Sequence, residues 1–274
     1  NLLNENFRTN NSELQNTWKE IREITDESML SLDLKKYSHL ISDELFRKCS
    51  DDEIILCLNY NGLYGINSIN NYFQNNNPNE EFYWDGKYYK KEDPIIFNDS
   101  KAYPNLFYNN LKGKIIDISK ENDKYIVFTL EIFRRIDYFG NFNNVKIIEN
   151  NLDGHAIVSL TIHKKASKDD EDNEINNYYV PFDVAYAMSI HKSQGLEFDS
   201  VKIIITDEID EKISHNIFYT AITRAKNQLA IYWSPETEKK IISNFTKLTR
   251  GIDANILAEK FKYKMYKNQK YKCI

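Results

Sequence analysis

The sequence predicts an α/β protein whose parallel sheet is interrupted by a β-rich insertion. Three observations carry this. Short aliphatic runs suited to buried strands stand at 53–60, 201–205 and 229–233, and helical spacing accompanies them at both ends of the chain. Between about residues 75 and 180 the texture changes to short alternating runs broken by Asn, Asp and Gly. After about residue 181 the aliphatic, helix-alternating texture returns.

Taken in order, residues 2–9 read as a short strand running into a turn, and the Asn and Ser residues at 10–12 cap a helix through about Ile24. Glu53 to Tyr60 is a compact apolar run, and Ile66 to Phe73 has helical spacing after Gly62 and Gly65. Asn75-Asn76-Asn77-Pro78-Asn79 ends that helix. Asp85-Gly86, set between Phe82-Tyr83-Trp84 and Lys87-Tyr88-Tyr89, predicts a hairpin whose rings either stack bases or pack into a core. Short strands are expected at Pro94–Phe97, Gly113–Ile118, Tyr125–Ile132 and His155–Ile162, and the acidic stretch 168–174 as a loop. Ala185–Ile190, Val201–Ile205, a helix through Phe218 and Tyr219, and Leu229–Trp233 complete the α/β part. The expected division is 1–79 and 181–250 as one α/β domain, 80–180 as the insertion, and 251–274 as a C-terminal helix and basic tail. That tail either touches phosphates or is a solvated helix with a frayed end.

The composition is 41% hydrophobic and 28% charged, and no apolar run approaches the ~18 residues of a spanning helix, so a cytoplasmic protein without membrane contact is expected. Three cysteines without CxxC spacing suggest neither a disulfide framework nor a zinc site, and no metal ligands are assigned. The formal charge of −5 requires that any contact with nucleic acid be local. Residue 1 is Asn, within what looks like a motif, and the sequence is therefore expected to be a piece of a longer protein.

Two segments carry the chemistry. Tyr186-Ala-Met-Ser-Ile-His-Lys-Ser-Gln-Gly-Leu-Glu197 brings a hydroxyl, an imidazole, an amine, an amide, a glycine and a carboxylate around one turn. Ser189, His191, Lys192 and Ser193 are donors of the kind that grip sugar and phosphate oxygens without reading bases. Gly195 permits close backbone approach, and Glu197 offers a carboxylate to a ribose hydroxyl. Phe218-Tyr-Thr-Ala-Ile-Thr-Arg-Ala-Lys226 then sets Arg224 and Lys226 among small residues.

These segments resemble the fifth and sixth signature motifs of superfamily 1 helicases of the UvrD and RecD type. Asn6-Phe7-Arg8-Thr9 resembles the fourth, and Asp93–Phe97 with Asn110–Gly113 resembles the inserted SH3-like β-barrel element of RecD-like members. The resemblance implies a RecA-like domain, the second of two in an ATP-dependent motor that moves on single-stranded DNA. It further implies Arg8 and Arg224 as arginine fingers, Phe7 stacked on the base, Glu197 on the ribose, and Ser189, His191, Lys192 and Ser193 on the nucleic-acid side. ATP with Mg2+ would be held mainly by the missing N-terminal RecA-like domain of the same polypeptide. The sequence contains no Gly-x-x-x-x-Gly-Lys-Ser/Thr phosphate loop, so these residues alone are expected to be inactive towards ATP. Thr206-Asp207-Glu208 imitates a magnesium-binding strand end but, without that loop, reads as an ordinary strand exit. A non-catalytic nucleic-acid-binding module and an RNA helicase remain open alternatives, because phosphate gripping carries no base information.

Overall fold

The computed structural model describes residues 9–23, 31, 33–99, 103, 106–122, 124–137, 141–142, 144–164, 179–208 and 213–245. Phe7, Arg8, the acidic stretch 168–174 and the basic tail from 251 lie outside the described residues. The elements, in chain order, are α1 (Ser12–Glu23), β1 (Ser38–His39), a 3-10 turn (Asp43–Phe46), β2 (Glu53–Cys57), α2 (Ile66–Asn76), β3 (Glu81–Trp84), β4 (Lys87–Lys90), β5 (Pro94–Phe97), β6 (Lys112–Asn122), β7 (Tyr125–Ile132), β8 (Asn141–Phe142), β9 (Val145–Asn150), β10 (Ala156–His163), β11 (Phe182–Val184), β12 (Ala187–Ser189), β13 (Phe198–Ile204), α3 (His215–Ile222), β14 (Ala225–Tyr232) and α4, helical over 235–245. They fall into two compact units, residues 1–59 with 197–274, and residues 60–196.

In the first unit β1, β14, β13 and β2 lie side by side, all parallel, with Val201 opposite both Leu229 and Ile54. A central parallel strand is covered on both faces, and β13 accordingly buries Phe198 and every residue from Ser200 to Ile204. Lys202 is the polar exception. Its ammonium donates to Glu53 Oε1 at 3.0 Å and to the carbonyls of Leu45 (3.1 Å) and Arg47, binding the 3-10 turn to the sheet. Helix α1 is amphipathic, burying Leu14, Trp18 and Ile21, and Asn11 caps it by accepting from the amides of Glu13 and Leu14. Ser214 caps α3, and His215 Nε2 lies 2.7 Å from Ile21 O, joining the two helices. Asp207 accepts from Ser234 Oγ at 3.3 Å and from the Thr237 hydroxyl, so its carboxylate serves the first turn of α4.

The second unit is dominated by an antiparallel sheet in the order β11-β5-β6-β7-β10-β9-β8. Strict alternation along β7 and β10 sends Ile126, Phe128, Leu130, Ile132, Val158, Leu160 and Ile162 into one core. The β3–β4 hairpin turns at Asp85 (φ 47°) and Gly86 (φ 80°), the left-handed pair that a two-residue hairpin demands. Its rings divide by face: Trp84 and Tyr89 are core residues, whereas Tyr83 and Tyr88 are exposed with ring centroids 5.0 Å apart. The expected class, a parallel α/β sheet with helices and an intervening β-rich segment, is the architecture observed. Among the described residues no helix is long and apolar enough to cross a membrane.

Candidate functional site

The turn after β12 is tied by its two serines. Ser193 N–H donates to Ser189 O at 3.1 Å, Ser193 Oγ donates to Ile190 O at 2.7 Å, and Lys192 N–H donates to Ser189 Oγ at 3.2 Å. Both serines are buried, so their hydroxyls shape the backbone, while His191 and Lys192 are thrown outward. Gly195 follows at φ +87°, and the space that a Cβ would occupy there is open. Backbone conformation therefore accounts for the glycine. It lies on a small depression of about 330 Å³ shared with Tyr108, Lys112 and Phe133.

His191 and Lys192 open onto a larger cleft of about 970 Å³ within the second unit. One wall is the amide-rich face of α2, where Asn67, Asn70, Asn71 and Gln74 recur at helical spacing. Exposed Tyr60 and Tyr88 contribute rings, and the Lys192 ammonium stands 6.0 Å from the centroid of Tyr60. Asp183 collects the cations on this surface: Lys87 Nζ donates to Oδ1 at 2.7 Å, Asn98 Nδ2 donates to Oδ2 at 2.7 Å, and Lys192 Nζ lies 4.0 Å from Oδ2. Burial works to raise the Asp183 pKa, but Lys87, Asn98 and Lys192 together outweigh it, and the carboxyl is held below the ordinary range.

A buried carboxylate fixes the cleft wall. Asp93, fully buried, accepts from Gln74 Nε2 (2.8 Å), Asn77 Nδ2 (3.0 Å), Lys90 N (2.9 Å) and Tyr186 OH (2.9 Å). Burial raises its pKa, and the four hydrogen bonds only partly offset that. Tyr186 also stacks on Phe73 at 4.9 Å, and Asn70 exchanges two hydrogen bonds with the backbone of Ala187, at 2.8 and 3.1 Å. In this way α2 is fastened to the segment that ends in His191 and Lys192.

The other motif residues belong to the first unit. Glu197 and Lys226 are both partly exposed and stand 3.9 Å apart. Arg224 is buried, and its guanidinium donates to Thr220 O at 2.9 Å and to Thr223 Oγ1 at 3.1 Å, at the negative end of α3. Its backbone is held as well, since Arg224 N–H donates to Ala221 O and Arg224 O accepts from Phe198 N–H. Among the described residues no group of three or more His, Cys, Asp or Glu side chains is placed to hold a metal ion. The ammonium and guanidinium groups suit phosphate oxygens, and the Glu197 carboxylate can accept from a sugar hydroxyl.

A parallel sheet closing on an Arg-bearing corner, together with a separate cleft offering His and Lys, is an arrangement suited to nucleotide and phosphate chemistry. Residues 184–232 match the family of the UvrD-like helicase C-terminal domain. The RecBCD enzyme subunit RecD of Buchnera aphidicola subsp. Acyrthosiphon pisum is 26% identical over 219 residues, covering 74% of this chain and 29% of the relative. Uncharacterized protein MJ1519 of Methanocaldococcus jannaschii is 30% identical over 162 residues, covering 55% of this chain and 13% of the relative. A solved structure of Bacteroides Pif1 bound to ssDNA aligns over 86% of this chain and 52% of that one, with 18% identity and a TM-score of 0.49. The matched domain and the RecD relatives identify a C-terminal domain of the superfamily 1 helicases in this chain. The chain spans less than a third of the length of these two curated relatives.

Proposed function

We propose that the chain is the C-terminal motor half of an ATP-dependent helicase or translocase acting on single-stranded DNA. One observation supports this most: the matched stretch 184–232 takes in both the turn that presents His191 and Lys192 and the corner that holds Arg224. Single-stranded nucleic acid lies along the cleft with phosphates on His191 and Lys192, and Ser189 and Ser193 keep that turn rigid. Bound ATP supplies the phosphoryl group that is transferred to water, with Mg2+ held mainly by an N-terminal RecA-like domain of the same polypeptide. Glu197 holds the ribose, beside Gly195. Arg224 is the arginine finger, preset in a buried position and released from Thr220 O when the two domains close. Phe7 and Arg8, outside the described residues, take the base and a second finger role. In this division residues 1–79 and 181–250 form the RecA-like domain, and 80–180 form its β-rich insertion.

An arginine that neutralises charge in phosphoryl transfer is worth ~10³ to 10⁵ in rate, or about 4 to 7 kcal/mol of barrier. Arg224→Ala in the full-length polypeptide is therefore expected to lower DNA-stimulated ATP hydrolysis by ~10³ or more, while DNA affinity stays near normal. Arg224→Lys keeps a cation at the end of α3, and its melting temperature separates a loss of folding from a loss of catalysis. Wild-type turnover in a folded Arg224→Ala protein removes the finger assignment. Tighter binding of RNA than of DNA of the same sequence shifts the substrate to RNA.

A further inference from the structure

The cations that face the cleft are held by an acid. Lys87 is committed to Asp183 by a 2.7 Å hydrogen bond, and Asn98 occupies the other oxygen at the same distance. Lys192, at 4.0 Å from Oδ2, is at the limit of an ion pair. Lys87 and Lys192 each have a side chain about half exposed, so solvent and ligands reach both ammonium groups. Asp183 therefore stays satisfied if Lys192 leaves, and Lys192 is the cation that an arriving phosphate can draw away. The acid stays charged at neutral pH, since its pKa is held low.

We propose that Asp183 is an electrostatic brake on the cleft: its carboxylate competes with nucleic-acid phosphate for Lys192 and Lys87, keeping strand binding weak enough for release. This rests on the assignment of the cleft to single-stranded nucleic acid, and it adds a regulating residue to that site. With the acid present, two cations and one anion leave one net positive charge at this wall; without it, two cations face the strand. When Asp183 becomes Asn, its one carbonyl oxygen can keep Asn98, while the new amide NH2 faces Lys87 and releases that ammonium towards the strand.

The test is equilibrium binding of a fluorescent single-stranded DNA oligonucleotide to the full chain across a salt series, for wild type, Asp183→Asn, Lys192→Met and the double variant. Each phosphate contact adds about 0.7 to the slope of log affinity against log salt. Asp183→Asn is expected to steepen the slope by about 0.7 and to tighten binding by about 3- to 10-fold at low salt. Lys192→Met should flatten the wild-type slope by about 0.7 and cancel much of the gain in the double variant. If Lys192→Met flattens the slope but Asp183→Asn leaves affinity unchanged or lower, the brake is refuted and the cleft stands. If Lys192→Met changes nothing, the cleft assignment fails and takes the brake with it. Unchanged melting of all three variants confirms that binding is being compared between folded proteins.

Discussion

Asp93→Ala tests whether one buried carboxylate holds the cleft wall together. The four donors that converge on Asp93 are not equally exposed to its loss. Gln74 Nε2 keeps Tyr88 O at 2.9 Å and Asn77 Nδ2 keeps Lys91 O at 2.8 Å, so each of these amides retains one partner. The Lys90 amide and the Tyr186 hydroxyl are the groups left wanting. An orphaned buried donor costs about 1 to 3 kcal/mol, which gives roughly 2 to 6 kcal/mol for the pair. Relief of the buried charge returns part of this, and a net loss of about 2 to 4 kcal/mol is expected. Urea denaturation at pH 7 measures it, with an unchanged m-value showing that the same surface is exposed on unfolding.

The pH dependence has a definite sign. The folded pKa of Asp93 is raised above the ordinary 3.8, so the folded state binds more protons in the window above that value. Its contribution is fully present below 3.8 and is lost as pH rises through the folded pKa. The stability difference between wild type and Asp93→Asn should shrink across this window. A difference that grows with pH, or an Asp93→Ala variant within about 1 kcal/mol of wild type, would refute the hub.

Two further outcomes follow from the packing. Lys202→Met takes the counter-charge from Glu53, whose Oε2 keeps Cys49 N–H and Ser200 Oγ, and removes a donor from the carbonyls of Leu45 and Arg47; it should cost about 3 to 5 kcal/mol by chemical denaturation, and a neutral substitution would show that water reaches this ion pair. Gly195→Ala should cost about 1 to 2 kcal/mol from the left-handed backbone alone, with Gly195→Asn milder, because no atom obstructs the added Cβ; a loss well beyond that would reveal packing against this position.

Much of the α/β part was legible because its signals are local. The continuous aliphatic run of β13, the helical spacing of α2, and Asp85-Gly86 each determine their element within a few residues. Strand β9 escaped the sequence reading because only Val145 and Ile147 are buried and the alternation breaks at Ile148 and Glu149, which are both exposed. Helix α4 carried a usable signal in Ser234-Pro235, a capping residue before a proline suited to a first turn. The residue types of the candidate site were visible in the motifs, but their environments were not. Nothing local indicates that the Ser193 hydroxyl turns inward to Ile190 O or that Arg224 folds back on Thr220 O. The cleft itself is assembled from Tyr60, the α2 amides, the hairpin and Asp183, which bonds distant in sequence, those of Asp93, Asn70 and Asp183 among them, bring together.

ATP hydrolysis with and without single-stranded DNA, compared between this chain alone and the polypeptide that joins it to an N-terminal RecA-like domain, tests the central claim most directly. The split-motor account predicts turnover only in the joined polypeptide, stimulated by DNA. Hydrolysis by the chain alone, or silence from both, would contradict it.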